Sequence, residues 1–282
     1  LPRSDAEYLL DWRADSICFE NGYGHPRFKA DLGINFDVVS QGQRNGIIAE
    51  LGDIRSRGRF ALQTKSESEC RPGAIVFVPD LSPNMMDQYD WQRWLAKGVT
   101  TLLGVCPLTN DSEVERLLSV QANDAFPLNV AFMGESLPIG SPLRNRTNIV
   151  RCVARRLLGL IDRGTQHNTT ETNPDTDFQD LVEAFSVPIL RESVLMENLA
   201  STLQKSFSTK YDLASLLRFR RRGRIERGKI ADVVILEKQV DDNQSPTMSL
   251  FLAGHRIGQV GENREAEITD NRRGRLLTRE SI

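Results

Sequence analysis

The spacing of hydrophobic positions changes several times along the chain. Tyr8-Leu9-Leu10 and Trp12 predict a short amphipathic opening segment. From Ser16 the apolar positions fall into short runs separated by turn residues. Ser16–Phe19 is followed by Asn21-Gly22, Ala30–Phe36 alternates, Asn45-Gly46 precedes Ile47-Ile48-Ala49, and Phe60–Gln63 follows. Alternation sends every second side chain to one face, and Asn-Gly suits the tight turns of hairpins, so this stretch predicts a small antiparallel β unit.

After Pro72-Gly73 the runs become continuous. Ala74–Val78, Val99–Val105 and Leu128–Met133 have no polar alternation, as strands buried on both faces require. Between them, Met85–Lys97 places Trp91, Trp94 and Leu95 at helical spacing with Gly98 as a terminator, and Asn110 or Asp111 caps a helix reaching about Val120. Strand, helix, strand, helix, strand implies βαβ units and a parallel sheet. Further on, Asn148–Ile161 reads as a basic amphipathic helix and Thr165–Asp177 as a polar loop. Helical stretches are expected at Phe178–Phe185, Glu192–Ser206 and Leu213–Phe219. The turn Gly223–Gly228 feeds an apolar strand at Ile230–Leu236, and a hairpin folds around Gly254-His255. The last twenty residues are charged and are expected to fray.

The 282 residues carry 36 basic and 38 acidic side chains, a net charge of −2 and a pI near 6.0. A polyanion binder would show a basic excess, so nucleic acid is not the expected partner. No apolar run reaches the ~20 residues of a membrane-spanning helix, and the polar N-terminus is unlike a signal peptide. Cys18, Cys70, Cys106 and Cys152 are too scattered for a zinc ribbon and read as reduced thiols of a cytoplasmic protein. Three histidines, His25, His167 and His255, leave little material for imidazole chemistry. There is no phosphate loop, dinucleotide fingerprint or nucleophile elbow. Cys106 follows a strand end but has no recognisable histidine to activate it. The dense run Arg218, Arg220, Arg221, Arg222, Arg224 and Arg227 reads as a solvated turn rather than a phosphate site.

Read in order, ADLGINF, NGIIAELGDI, RPGAIVFVPD, AKGVTTLLG, RIERGKIADVVILE and LAGHRI resemble the amidohydrolase superfamily. Leu95–Gly104 and Phe126–Ser136 are similar to passages of the urease α chain, and N-acyl-D-amino-acid deacylases share several of these landmarks. The resemblance implies an α/β fold: a composite β-sandwich from both chain ends (16–72 and 223–262), an abridged (β/α) barrel of amidohydrolase type (73–222) and a charged tail (263–282). About 150 residues lie between Ala74 and Arg222, whereas a complete TIM barrel takes ~250. Roughly the first three barrel strands are therefore expected.

The resemblance also says where metal ligands belong. A His-x-His pair should end the first barrel strand, yet Val78 and Asp80 stand there, and Val76 replaces a preceding aspartate. Glu135 occupies the position of urease's bridging lysine, so Glu135 and Asp80 are the metal-ligand candidates. The later histidines and aspartate of the family have no counterpart. His167 lies in the polar loop, and His25 and His255 lie in turns. Two functions follow from the resemblance, and no catalytic residue is assigned in either. The first is a degenerate, urease-like pseudoenzyme without a cofactor, expected to be a homo-oligomer or to need a partner chain, because an open half-barrel exposes apolar edges. The second is a metal-dependent hydrolase of non-peptide C–N bonds in a small amide, urea or cyclic amide, using divalent zinc or nickel at an altered site.

Overall fold

The computed structural model of the chain describes residues 16–25, 28–39, 43–52, 61–64, 68–119, 126–135, 142–163, 183–204, 211–237, 247–261, 266–268 and 274–279. In chain order the elements are β1 (Ser16–His25), β2 (Phe28–Val39), β3 (Gln43–Gly52), β4 (Ala61–Thr64), β5 (Ser68–Pro72) and β6 (Ala74–Phe77). A 3-10 turn at Pro83–Gln88 and α1 (Gln92–Leu95) lead to β7 (Val99–Cys106), α2 (Asp111–Ser119), β8 (Asn129–Glu135) and α3 (Pro142–Ala154). Then come β9 (Leu160–Asp162), β10 (Ile189–Arg191), α4 (Glu192–Gln204) and α5 (Leu213–Leu216). The chain closes with β11 (Val233–Glu237), β12 (Thr247–Leu252), β13 (His255–Val260), β14 (Ala266–Ile268) and β15 (Leu276–Leu277). No helix among the described residues is long and apolar enough to cross a membrane. The chain divides into two units, one of residues 1–74, 91–100 and 220–273 and the other of residues 75–90, 101–219 and 274–282.

The first unit contains two sheets, ordered β3-β2-β1-β4 and β14-β13-β12-β11-β5. The expected antiparallel unit is in fact mixed, because β4 runs parallel to β1. Asn21-Gly22 makes no hairpin: β1 continues through it and absorbs the irregularity as a register shift between Phe19 and Tyr23. Asn45-Gly46 likewise lies inside β3, paired with β2, and the connection at residues 40–42 lies outside the described residues. The closing hairpin turns at Ala253-Gly254, both with positive φ (47° and 78°), as a two-residue turn that keeps the right-handed strand twist requires. Gly223 (φ 79°) and Gly228 (φ 80°) take the left-handed conformation that shapes their turn. That turn is tied to β3, where Ile48 N–H donates to Lys229 O and Ile48 O accepts from Gly228 N–H, each at 2.8 Å. Ile48 joins Cys70, Ile225, Val233, Ile235 and Phe251 in one apolar cluster drawn from both ends of the chain.

The second unit is built on a curled parallel sheet with the order β10-β9-β8-β7-β6. Each strand lies beside the next in sequence, which is the winding of a barrel; a doubly wound sheet reverses its order at a switch point. Among the described residues five such strands are present, where roughly three were expected. The two unexpected ones, β9 and β10, have only three residues each. β9 includes Leu160-Ile161, which had looked like the end of a helix, but α3 stops at Ala154. The predicted helix at Met85–Lys97 is similarly broken into the 3-10 turn and the four-residue α1. Asn110 does cap α2, its side-chain oxygen accepting from the Ser112 N–H at 3.2 Å. Residues 263–282, expected as a charged tail, contain β14 and β15. Because β9 pairs only with Gly134 and Glu135, the start of β8 is left open, and β15 fills it in parallel at Val130 and Ala131.

One face of the sheet carries Phe77, Leu103, Val105, Ala131, Met133, Ile161 and Leu190. It packs against Leu195 of α4, Leu213 of α5 and Leu217, which follows α5. Helix α4 leaves β10, the last strand, and reaches β6, the first, where Asn198 Nδ2 donates to Ile75 O at 3.1 Å. Among the described residues, α4 thus links the two edge strands of the curled sheet. Leu195 is fully buried in that cluster, and truncating such a leucine costs about 2–5 kcal/mol.

Candidate functional site

In a parallel barrel the side chains that do chemistry stand at the C-terminal strand ends. Here β8 ends at Glu135, β9 at Asp162 followed by Arg163, and β10 at Arg191 followed by Glu192, the first residue of α4. In the sheet register Glu135 stands beside Ile161, and Ile161 beside Leu190. Strand alternation therefore sets Glu135 on the face of the apolar cluster, with Arg163 and Glu192 two residues beyond Ile161 and Leu190 on the same side. The three meet there. Arg163 Nη1 donates to Glu135 Oε1, and Arg163 Nε lies 3.4 Å from Glu192 Oε1. The groups are partly open to solvent, with the Arg163 side chain 42% exposed.

Beside this trio a cavity of about 920 Å³ opens at the strand ends. Its lining carries both signs of charge, Asp162 and Glu192 against Arg163 and Arg191, with Pro79 and Met196 as apolar walls. Arg191 is exposed at the end of β10, in register with Asp162 of β9.

The candidates from the sequence are not gathered here as a metal site. Val78 is buried and brings no donor atom, and strand alternation turns it away from the cluster face that holds Phe77. Asp80 lies in an exposed turn, where the Tyr89 hydroxyl is 3.5 Å from its Oδ1. Glu135 is held by Arg163. His25 is the last residue of β1, His255 begins β13, and His167 lies outside the described residues. Among the described residues no three His, Cys, Asp or Glu side chains come together as a metal-binding group. Zinc or nickel in a catalytic site needs three or more ligands and an open position, so these donors do not fit either metal.

Cys106 is a buried thiol. Burial pushes its thiol up to about 11, a rise that Arg155 only partly opposes and Glu113 adds to, so it stays protonated near neutrality. Of the arginine run, Arg222 is not solvated. It is buried and donates to Asp232 Oδ2, whose Oδ1 accepts from the Ala253 N–H at 2.8 Å.

Asp162, Arg163, Arg191 and Glu192 were missed from the sequence. A signal for them existed: Leu160-Ile161-Asp162-Arg163 and Ile189-Leu190-Arg191-Glu192 repeat one pattern, two apolar residues followed by a pair of opposite charges. Two short strands delivering charges to one rim have that appearance.

No family model and no curated protein matches the sequence. Solved structures do resemble the fold. D-aminoacylase, described as defining a subset of amidohydrolases, is 12% identical with a TM-score of 0.54, covering 94% of this chain and 99% of that one. A second D-aminoacylase structure, concerned with its binuclear metal centre, is 10% identical with a TM-score of 0.52 and the same coverage. A third, of a mutant in complex with copper chloride, is 11% identical with a TM-score of 0.52. At these identities the likeness is one of architecture: this chain shares the fold of D-aminoacylase.

Proposed function

We propose that this chain is a degenerate, urease-like relative of the amidohydrolases, in which the mouth of the shortened barrel binds a ligand without a resident metal. The reading rests on one observation: Arg163 holds Glu135 and Glu192 together at the strand ends. The single positive charge of the guanidinium offsets one of the two carboxylate charges and stands between them, where a bridging metal ion would otherwise stand. An assembly role, as a homo-oligomer or with a partner chain, accompanies this reading and is supported by Met196 and Leu203, exposed on α4.

The second reading, a metal-dependent hydrolase of amide, urea or cyclic amide C–N bonds, is favoured by the shared architecture with D-aminoacylase, a protein with a binuclear metal centre. Metal content by mass spectrometry, on protein purified without added metal or an affinity tag, separates the two. Trace metal and no turnover of amide, urea or cyclic amide substrates are expected. Near-stoichiometric zinc or nickel, with turnover that Glu135→Gln abolishes, would overturn the proposal in favour of the second reading.

A further inference from the structure

The arginine-rich turn of the first unit carries one arginine inward and the others outward. Arg222 is buried against Asp232, so these two charges offset each other inside the unit. Arg220, Arg221, Arg224 and Arg227 are exposed, Lys229 is half-buried, and Glu226 is the only acid between residues 220 and 229. Four arginines and one lysine against one glutamate leave a local surplus of positive charge, on a chain whose net charge is −2. Backbone pairing keeps these like charges together. Ile230 N–H donates to Arg221 O at 2.7 Å, Lys229 Nζ donates to Arg220 O, and Ile48 of β3 holds Gly228 and Lys229. Cations pinned side by side raise the local potential and attract a counter-ion.

Glu226 marks where that counter-ion sits. Its carboxylate lies between two of the cations, Oε1 at 3.7 Å from Arg224 Nη1 and Oε2 at 3.7 Å from Lys229 Nζ. Both separations exceed hydrogen-bond length, and the Glu226 side chain is 51% exposed, so solvent screens its hold on either partner. Arg220 O and Glu226 together engage at most two of the three protons that the Lys229 ammonium donates. We propose that this turn is a site for a compact anion of linked phosphates, which displaces Glu226 and is received by Lys229, Arg220 and Arg221. Arg224 and Arg227 have contacts of their own and add positive potential to the site. Phosphate outcompetes the glutamate because it carries more charge and offers paired oxygens to the guanidinium fork. An extended polyanion, a nucleic acid or an acidic peptide, would have to continue past the turn over a chain with no basic excess. The site belongs to the first unit and does not depend on what the strand-end mouth of the second unit binds.

The test is titration calorimetry on the full chain at about 0.15 M salt, free of phosphate buffer and metal. The probes are sodium tripolyphosphate, sodium sulfate, adenosine triphosphate and a poly-glutamate peptide. Tripolyphosphate is expected to bind at least tenfold more tightly than sulfate or poly-glutamate. Adenosine triphosphate should bind like tripolyphosphate, because residues 220–229 include no aromatic side chain for a base to stack on. The double variant Arg220→Gln/Arg221→Gln should weaken tripolyphosphate at least tenfold while its denaturant midpoint stays that of the unaltered chain, since both side chains are exposed. Glu226→Gln should tighten it about threefold or more by removing the resident carboxylate, a gain that misfolding cannot produce. No binding of tripolyphosphate, binding no tighter than sulfate, or an affinity unchanged in the double variant would overturn the inference. So would clearly tighter binding of the nucleotide or of poly-glutamate, or weaker binding in Glu226→Gln.

Discussion

Two arginine–carboxylate pairs of the same chemistry sit in the two units, and their surroundings give them opposite work. Arg222–Asp232 is sealed in the first unit, with side chains 7% and 3% exposed. Arg163–Glu135 stands at the open strand ends of the second, at 42% and 29%. Asp232 is satisfied on both oxygens, by Arg222 and by the Ala253 N–H, so it ties the arginine-rich turn to the β12–β13 hairpin. Its partner's Nε is buried without a hydrogen bond, a cost this linkage carries. Arg163 lies beside a cavity instead, where water and ligands compete for its charge. The comparison teaches that burial, not the identity of the pair, separates a clasp from a binding group.

The strongest way to break the comparison is to remove the buried acid. Asp232→Ala leaves the Arg222 guanidinium buried and uncompensated and removes the acceptor of the Ala253 N–H. Loss of one partner of a buried pair costs about 3–5 kcal/mol, so a large drop in the denaturant midpoint is expected. Asp232→Asn keeps an oxygen for Ala253 and should fall between this variant and the unaltered chain. A loss below about 1 kcal/mol for Asp232→Ala would place the pair with exposed ones and erase the contrast.

The uneven legibility of the sequence has the same physical root. β7 and β8 were readable because they are eight and seven residues long and buried on both faces, so an uninterrupted apolar run marks them. β9 and β10 are three residues each, too short to establish any period, and Leu160-Ile161 continued the pattern of the helix before it. Missing those strands meant missing the site, because their last residues carry its charges. Glu135 was singled out through the resemblance, as the counterpart of urease's bridging lysine; Arg163 could not be, because its pairing depends on the register of an unseen strand. Nothing local to Ala231-Asp232 says that Arg222 will fold over the Asp232 carboxylate.

A second test sharpens burial as the controlling variable, through thiols rather than ion pairs. Burial raises Cys106 to about 11 and Cys152 to about 12, from an ordinary 9.0. For Cys152, Arg279 opposes the rise and Cys106 adds to it. In the unfolded chain these thiols ionise near pH 9, while the folded chain keeps its protons. The favourable contribution is therefore fully present below pH 9 and is lost as pH rises through 11 to 12. Each thiol adds up to about 1.4 kcal/mol of destabilisation per pH unit inside that window. Denaturant midpoints measured at pH 8, 9.5 and 11 should show this fall, and Cys152→Ala should make it shallower whatever its effect at pH 8. An unchanged slope in Cys152→Ala would mean that the thiol is not protected by the fold.

The smallest expected effect belongs to Arg163, and its smallness is informative. A pair this exposed gains little, because solvent screens it and its side chains lose freedom in forming it; Arg163→Ala should change stability by less than about 1 kcal/mol. That remainder should shrink further between low salt and 1 M sodium chloride, where the screening length falls to about 3 Å. The Arg222–Asp232 contribution, shielded from ions by the protein, should hardly move over the same range. Double-mutant cycles of Arg163 with Glu135 and of Arg222 with Asp232, each run at both salt concentrations, measure the two couplings directly. A salt-insensitive coupling of several kcal/mol at Arg163 would make the mouth a second clasp, fixed in place as part of the architecture. A weak, salt-sensitive coupling keeps the contrast with Arg222–Asp232 and marks the strand-end trio as an exposed ion pair rather than a clasp.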